Sequence, residues 1–88
     1  MSAAVTVFAT SWCPFCRSLL AGLKRTNVVY DVIDVDDPAN KEHSDWVASV
    51  NDGNRIVPTV RFSDGTHATN PGAKEVAAKY RELMQRHF

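Results

Sequence analysis

Runs of β-branched and aromatic residues alternate with segments of helical periodicity along this chain. Val5 to Ala9 (VTVFA) has the composition of a buried strand. A helix that begins at Pro14 is predicted next, because proline suits the first helical position. The apolar residues of this helix recur at the i, i+3, i+4 and i+7 spacing of one face, and they are Cys16, Leu19, Leu20 and Leu23.

A second strand and a second helix follow the first pair. Val28 to Val35 (VVYDVIDV) predicts the strand. Asp36-Asp37-Pro38 predicts the start of the helix, because a capping carboxylate precedes a proline. Gly53 is a suitable stop for it. The apolar spacing of this helix is supplied by His43, Trp46, Val47 and Val50.

The last third of the chain predicts a β-hairpin and a final helix. Pro58 to Phe62 and Thr66 to Ala68 form the two strands, and Ser63-Asp64-Gly65 forms the turn. Asn70-Pro71 marks the start of the helix. Its apolar face comprises Val76, Tyr80, Leu83, Met84 and His87. The predicted order is β-α-β-α-β-β-α, an α/β fold in which three helices flank one mixed four-stranded sheet with a parallel first pair.

Composition and charge indicate one small soluble domain over residues 1–88. This length suffices for a single modest core, and 44% hydrophobic with 23% charged residues argues against disorder. Ten basic residues balance ten acidic ones, so we expect no nucleic-acid or membrane partner. We also expect a monomer. The first ten residues lack Lys and Arg, which does not resemble a signal peptide. We expect a cytoplasmic protein without a persistent structural disulfide.

Two cysteines separated by two residues carry the chemical prediction. Cys13 lies where a strand ends and a helix begins, so free backbone N–H groups and the helix dipole favour its thiolate. Arg17, four residues further along the helix, is a candidate second source of positive charge. Cys16 shares the leucine face of the helix. We therefore expect Cys13 to be an exposed nucleophile and Cys16 to be a shielded resolving thiol.

A Cys-x-x-Cys pair is also half of a zinc site. Tetrahedral zinc would need two further ligands. The available histidines, His43, His67 and His87, lie on three different predicted elements without a paired spacing. We therefore expect no metal site.

Over nearly its whole length the sequence resembles the thioredoxin fold and, within it, the glutaredoxins. CPFC is close to their Cys-Pro-Tyr-Cys, and RIVP (Arg55 to Pro58) resembles their Arg-Thr-Val-Pro. The resemblance implies that Pro58 is cis and lies beside the cysteines. Three positions depart from the pattern: Thr10 replaces a basic residue, ATNP (Ala68 to Pro71) replaces a Gly-Gly pair, and Phe15 lacks the tyrosine hydroxyl.

The segments TSWC, VNDGNRIVPTVRFSDGT and TNP look like those of mycoredoxins, the glutaredoxin-like proteins of bacteria that use mycothiol instead of glutathione. This resemblance implies that Cys13 reduces mixed disulfides between proteins and mycothiol by a monothiol route, with mycothiol–arsenate adducts as a further candidate substrate. It implies mycothiol as the reducing co-substrate and no tightly bound cofactor. Mycothione reductase and NADPH would regenerate mycothiol.

The resemblance also implies a set of substrate-binding residues around the cysteines. It includes the backbone before the proline, polar groups for the sugars of mycothiol, and an apolar rim. These residues are Arg55, Val57 and Pro58 before the third strand, Thr69 and Asn70 before the last helix, and Trp12 and Phe15 beside the nucleophile.

Two other functions stay open. A dithiol redoxin reduced by thioredoxin reductase, of the type that serves ribonucleotide reductase, typically carries Phe-Arg-Pro-Asp where this chain has Ala68 to Pro71. A non-enzymatic iron–sulfur scaffold would use one cysteine and an external thiol. Pro14 stiffens the cysteine turn, whereas the cluster-binding relatives typically lack this proline.

Overall fold

The computed structural model describes residues 3–85, which form seven main elements in the predicted order. The strands are β1 (Val5–Ala9), β2 (Tyr30–Asp34), β3 (Thr59–Phe62) and β4 (His67–Thr69). The helices are α1 (Pro14–Leu23), α2 (Lys41–Ser49), which a 3-10 turn (Pro38–Asn40) precedes, and α3 (Ala73–Gln85). The predicted position His87 lies outside the described residues. No described helix has the length and apolar character needed to cross a membrane.

The four strands form one mixed sheet in the order β2-β1-β3-β4. β1 runs parallel to β2 and antiparallel to β3, and β3 pairs with β4 in an antiparallel hairpin. Val7 in the middle of β1 pairs with Val32 on one side and with Val60 on the other. All five residues of β1 are buried, because this inner strand is covered on both faces.

Side chains of β1 alternate between two apolar layers, as the two-residue period of a strand requires. Phe8 points into the layer beneath α2, where Val35 and Val47 cover it. The other layer lies beneath α1 and α3, and its buried members include Val5, Val7 and Ala9 of β1, Cys16, Leu19 and Leu23 of α1, Val60 and Phe62 of β3, and Val76 and Leu83 of α3.

Helices α1 and α3 approach each other closely at Gly22. A Cβ atom at this position would lie 2.7 Å from the Cβ of Ala73, which is closer than real Cβ atoms come. Only glycine fits between the two helices here without a shift. The last turn of α1 therefore packs directly against the first residue of α3.

Both hairpin strands begin one residue later than the sequence predicts. β3 starts at Thr59 rather than Pro58. β4 covers His67–Thr69 instead of Thr66 to Ala68, because Asp64 Oδ1 accepts hydrogen bonds from the N–H (3.0 Å) and hydroxyl (2.6 Å) of Thr66 and keeps that residue in the turn. The predicted turn is confirmed, with Gly65 at a φ of +89°.

The second strand is shorter than predicted and the last helix starts later. β2 does not include Val28, whose N–H instead donates to Thr26 Oγ1 at 3.2 Å in the preceding loop. α3 begins at Ala73, not at Asn70-Pro71. The reason is that Asn70 has a φ of +50°, which lies outside the right-handed helical region.

The start of α2 differs in detail from the prediction, and the helix ends at Ser49, before the predicted stop at Gly53. Asp37, not Asp36, is the capping residue, since its Oδ1 accepts the N–H of Ala39 at 3.0 Å. The cap begins the short 3-10 turn that leads into α2. Beyond the helix, the N–H of Gly53 donates to Ala48 O at 2.8 Å, with a φ of +87° at Gly53.

Candidate active site

Cys13 is the N-cap residue of α1, and Pro14 occupies the first helical position. The side chain of Cys13 caps no backbone N–H itself. The N–H groups of Phe15 and Cys16 in the first turn nevertheless act on its sulfur. The sulfur therefore lies at the positive end of the helix, as the sequence predicts.

The expected exposure of Cys13 is wrong, because only 4% of this residue is accessible. The turn folds its side chain inward against the apolar layer beneath α1 and α3. Its Sγ lies 3.7 Å from the carbonyl oxygen of Val57, to which the thiol donates. The predicted nucleophile is therefore in contact with the loop that precedes β3.

Hydrogen-bond donors overcome this burial and lower the pKa of Cys13 below its usual value. Burial alone would raise the pKa, because a thiolate loses solvation inside the protein. The N–H and the thiol of Cys16, together with the N–H of Phe15, stabilise the negative charge more strongly. Cys13 is the ionisable thiol of the pair.

Cys16 has the opposite character although it is also almost inaccessible to solvent, with only 1% of it exposed. Burial raises its pKa to about 11, and both the hydrogen bond and the charge of Cys13 add to the rise. The N–H and the hydroxyl of Thr10 lower the pKa in part. Cys16 is therefore the protonated, shielded partner that the leucine spacing predicts.

The Val57–Pro58 peptide bond is cis, as the resemblance implied. The carbonyl oxygen of Pro58 accepts the N–H of Asn70 at 2.8 Å, which ties the segment before α3 to the segment before β3. Val57 contacts Cys13 through its carbonyl oxygen. Three predicted substrate-binding residues thus meet at one end of the sheet.

Thr69 lies beside this group, and its hydroxyl donates to Asn51 Oδ1 at 2.6 Å. Asn51 is buried, and its amide group donates to Val47 O at 2.8 Å and to Thr59 Oγ1 at 3.2 Å. The sequence analysis missed Asn51, whose signal is weak because a lone Asn after a helix usually lies in solvent. It anchors the segment that carries Thr69.

An apolar rim surrounds the cysteine turn. Trp12 and Phe15 are 61% and 62% exposed, and Ile56, immediately before Val57, is 38% exposed. Ile56 was missed by the sequence analysis, which treated it only as part of a motif. Exposed large apolar side chains that flank a reactive group are typical of a binding surface.

Asp36 connects the rim to the loop before α2. Its Oδ2 accepts the indole N–H of Trp12 at 2.7 Å, and its Oδ1 pairs with Arg55 Nη2 at 2.7 Å. These two donors lower the pKa of the Asp36 carboxyl. Arg55 also donates to Val35 O at 3.0 Å. The sequence analysis missed this role, although two adjacent aspartates before one proline offer one more carboxylate than a cap needs.

Arg17 and Thr10, two further residues near the thiols, make different contacts from those that their residue types suggest. Arg17, the candidate positive charge for Cys13, donates its Nε–H to Ser11 O at 3.2 Å. Thr10 is 4% exposed, and its side chain faces Cys16 rather than solvent. The position that is basic in most glutaredoxins therefore contributes no surface group here.

A groove of about 390 Å³ opens beside Phe15, between α1 and the start of α3. Its size lies within the usual range for small-ligand sites. Its lining combines apolar surface with one amide and one hydroxyl and includes no charged side chain. The lining residues are Phe15, Ser18, Leu19, Gly22, Asn70, Pro71, Gly72 and Ala73.

Among residues 3–85, no three His, Cys, Asp or Glu side chains come together in a group that could hold a metal ion. The two cysteines are free thiols. The arrangement supports thiol–disulfide exchange at Cys13, with Cys16 within hydrogen-bonding reach of the reacting sulfur.

The sequence is similar to proteins whose names denote thiol redox activity. The glutaredoxin family model matches residues 5–68. Mycoredoxin 1 of Corynebacterium glutamicum is 65% identical over 79 residues, which cover 90% of this chain and 95% of that protein.

Solved structures agree with the fold prediction. A glutaredoxin from Archaeoglobus fulgidus superposes with a TM-score of 0.68 at 30% identity, covering 84% of this chain and 82% of its own. Wheat glutaredoxin superposes with a TM-score of 0.64 at 29% identity, covering 88% and 70%. The predicted thioredoxin-type architecture is confirmed.

Proposed function

Because this chain belongs to the glutaredoxin family, we propose that its thiol redox chemistry is the reduction of mixed disulfides between proteins and mycothiol. The family supplies the reaction type, thiol–disulfide exchange. The choice of mycothiol is the proposal, and it is supported by the uncharged lining of the groove beside Phe15, two residues after Cys13 in the chain, and by the similarity to Mycoredoxin 1.

In the proposed reaction, the Cys13 thiolate attacks the mycothiol sulfur of the mixed disulfide. A Cys13–mycothiol disulfide forms, and the target protein leaves as a thiolate that takes up a proton. A second mycothiol thiolate then attacks the mycothiol sulfur attached to Cys13. This exchange releases oxidised mycothiol disulfide and restores the Cys13 thiolate. Mycothione reductase would return the disulfide to mycothiol with electrons from NADPH.

The uncharged groove is the observation that carries the choice of thiol. Mycothiol is a sugar-bearing thiol without the charged carboxylates of glutathione. A groove with one amide, one hydroxyl and apolar walls offers hydrogen bonds and contact area to a sugar, but no cation to a carboxylate. The amide of Asn70 and the hydroxyl of Ser18 are the polar side-chain groups of this lining.

Two positions at which a cation could have met a ligand carboxylate support the same choice. Thr10 replaces the basic residue that most glutaredoxins carry, and its side chain is buried. Arg55, the charged member of the predicted substrate-binding set, already pairs with Asp36 at 2.7 Å. Neither position offers an unpaired cation to a ligand carboxylate.

The test is one mixed-disulfide substrate supplied in parallel with three reducing systems. These are mycothiol with mycothione reductase, glutathione with glutathione reductase, and thioredoxin reductase alone, each with NADPH. We expect the mycothiol system to be faster than the others by about tenfold or more, the size of one charge-assisted hydrogen bond. If thioredoxin reductase alone is fastest, the chain is instead a dithiol donor.

A groove variant sharpens this test. Asn70→Gly deletes the amide and keeps a residue that adopts positive φ easily. We expect the KM for the mycothiol substrate to rise roughly fivefold, because one or two hydrogen bonds are lost. Asn54→Gly, which removes an exposed amide outside the groove lining, is the matched control.

A further inference from the structure

The hydroxyl of Thr10 has no role in the reaction described so far. Among residues 3–85, Thr10 Oγ1 is the buried side-chain oxygen or nitrogen that makes no regular hydrogen bond. A buried polar group without a partner is destabilising, so each such group calls for an explanation. Thr10 follows β1 directly and faces Cys16 on the first turn of α1.

We propose that Thr10 is a positioning residue for Cys16: its hydroxyl donates a hydrogen bond to Cys16 Sγ whenever that sulfur carries negative charge, and so controls how fast the Cys13–Cys16 disulfide closes and opens. In the reduced protein this donor has no regular partner, and it can turn towards a charged acceptor because a hydroxyl rotates freely. The proposal rests on the thiol–disulfide chemistry of the proposed function and is independent of which thiol serves it.

The closing step shows where the charge develops. Cys16 loses its proton to solvent, and its thiolate attacks Cys13 Sγ in a mixed disulfide between Cys13 and a small thiol. The Cys13–Cys16 bond forms, the bond to the small thiol breaks, and that thiol leaves as an anion that takes up a proton. In the opening step an external thiolate attacks Cys13 Sγ, and Cys16 leaves as the thiolate.

Few other groups can stabilise the Cys16 thiolate. Both the N–H and the hydroxyl of Thr10 lower the pKa of Cys16, whereas burial and the charge of Cys13 raise it to about 11. Cys13 is the titratable group whose charge acts on Cys16. The N–H belongs to the backbone and survives any substitution. The hydroxyl is therefore the donor to the Cys16 thiolate that a substitution at position 10 can remove.

Two variants separate this role from a packing role. Thr10→Val keeps the shape of the side chain and deletes the donor, whereas Thr10→Ser keeps the donor and deletes a methyl group. Removing an unpartnered buried hydroxyl is not expected to weaken the fold, because no regular hydrogen bond is lost. Thermal unfolding of each variant checks that the domain is intact.

The experiment uses the reduced full chain and the disulfide of 2-mercaptoethanol, which carries no sugar. Acid quenching and mass spectrometry follow two successive species, the mixed disulfide at Cys13 and the Cys13–Cys16 disulfide. Formation of the first species involves Cys13 alone and is the internal reference for every variant. Rates are measured between pH 8 and 10.5, where closing should accelerate with the Cys16 thiolate fraction.

We expect Thr10→Val to slow closing at least about threefold relative to the reference step, and to displace its pH profile upward by roughly one unit. Thr10→Ser should keep a closing rate and a pH profile close to those of the natural protein. The proposal is overturned if Thr10→Val forms the Cys13–Cys16 disulfide at the natural rate with an unchanged pH profile, or if it slows both steps equally. It is also overturned if Thr10→Ser slows disulfide formation as much as Thr10→Val does. A failure of the mycothiol assay would leave each of these outcomes unaffected.

Discussion

Cys13 and Cys16 are both almost inaccessible to solvent and behave in opposite ways. One is 4% exposed and the other 1%, and only two residues lie between Cys13 at the N-cap and Cys16 in α1. Yet the pKa of Cys13 is lowered and that of Cys16 is raised to about 11. Solvent exposure alone therefore does not decide which thiol ionises.

The difference comes from the donors that each sulfur meets. Cys13 at the N-cap faces the N–H groups of Phe15 and Cys16 and the Cys16 thiol, which together outweigh its loss of solvation. Cys16, already inside the first turn, meets the N–H and hydroxyl of Thr10, and these do not compensate for burial and for the charge of Cys13. One helical turn is enough to separate a nucleophile from its reserve partner.

The largest expected effect is on turnover of the two cysteine variants. Cys13→Ser should lose mixed-disulfide reduction entirely, because an alcohol is not ionised at neutral pH and is a poor nucleophile for sulfur. Cys16→Ser should keep turnover within about tenfold of the natural protein, since the monothiol route does not use Cys16. Steady-state turnover with a mycothiol mixed disulfide measures both. Comparable losses in the two variants would favour a dithiol mechanism.

The Gly22→Ala variant tests whether the pKa difference between the two thiols depends on the packing of α1 against α3. The added Cβ would lie 2.7 Å from that of Ala73, so we expect a loss of about 1–3 kcal/mol in the free energy of unfolding. Gly72→Ala is the matched control, because a Cβ there meets nothing within 4 Å.

Denaturant unfolding gives both free energies. The Cys13 labelling profile of the folded Gly22→Ala protein should resemble the natural one, since the donors of Cys13 belong to the first turn of α1. A large shift in that profile would show that helix packing sets the pKa of Cys13.

The pH dependence of stability should carry the signature of Cys16. In the unfolded chain a thiol ionises near its ordinary value of about 8.5, whereas in the folded protein Cys16 ionises at about 11. Between these values the unfolded state has lost the proton that the folded state retains, so stability falls as pH rises. Denaturant midpoints should therefore drop less steeply in Cys16→Ala than in the natural protein. Equal slopes would contradict the raised pKa.

The smallest effect concerns the rim rather than the thiols. Asp36→Ala releases both Trp12 and Arg55, so we expect the substrate KM to rise roughly threefold with kcat little changed. Asp45→Ala, which breaks the exposed ion pair with Lys41, is the control and should leave KM unaltered. A fall in kcat would place Asp36 in the chemistry instead.

The sequence predicted the element order and the position of Cys13 at the start of α1 because both depend on local signals. Periodicity located α1, and a proline after a cysteine at a strand end located its N-cap. The burial of Cys13 was not predictable in this way. It depends on Val57, which lies 44 residues away and reaches the thiol only after the sheet has formed.

Long-range side-chain contacts account for the remaining differences. Asp36 and Asp37 are equivalent by local rules, and only the folded chain assigns one to Trp12 and the other to a cap. In the sequence, Thr10 stands out only because it replaces a basic residue of most glutaredoxins. Its significance follows from burial and from its contact with Cys16, which a local pattern does not contain.

The opposite ionisation of two thiols that are both almost inaccessible to solvent can be tested directly by alkylation with iodoacetamide across a pH series, resolved by peptide mass spectrometry. Cys13 should label with a midpoint below about 8.5, the ordinary thiol value, while Cys16 should resist labelling until the pH approaches about 11. Brief exposures keep the first adduct from altering the second site. Parallel labelling of the two cysteines, or earlier labelling of Cys16, would contradict the assignment of Cys13 as the nucleophile.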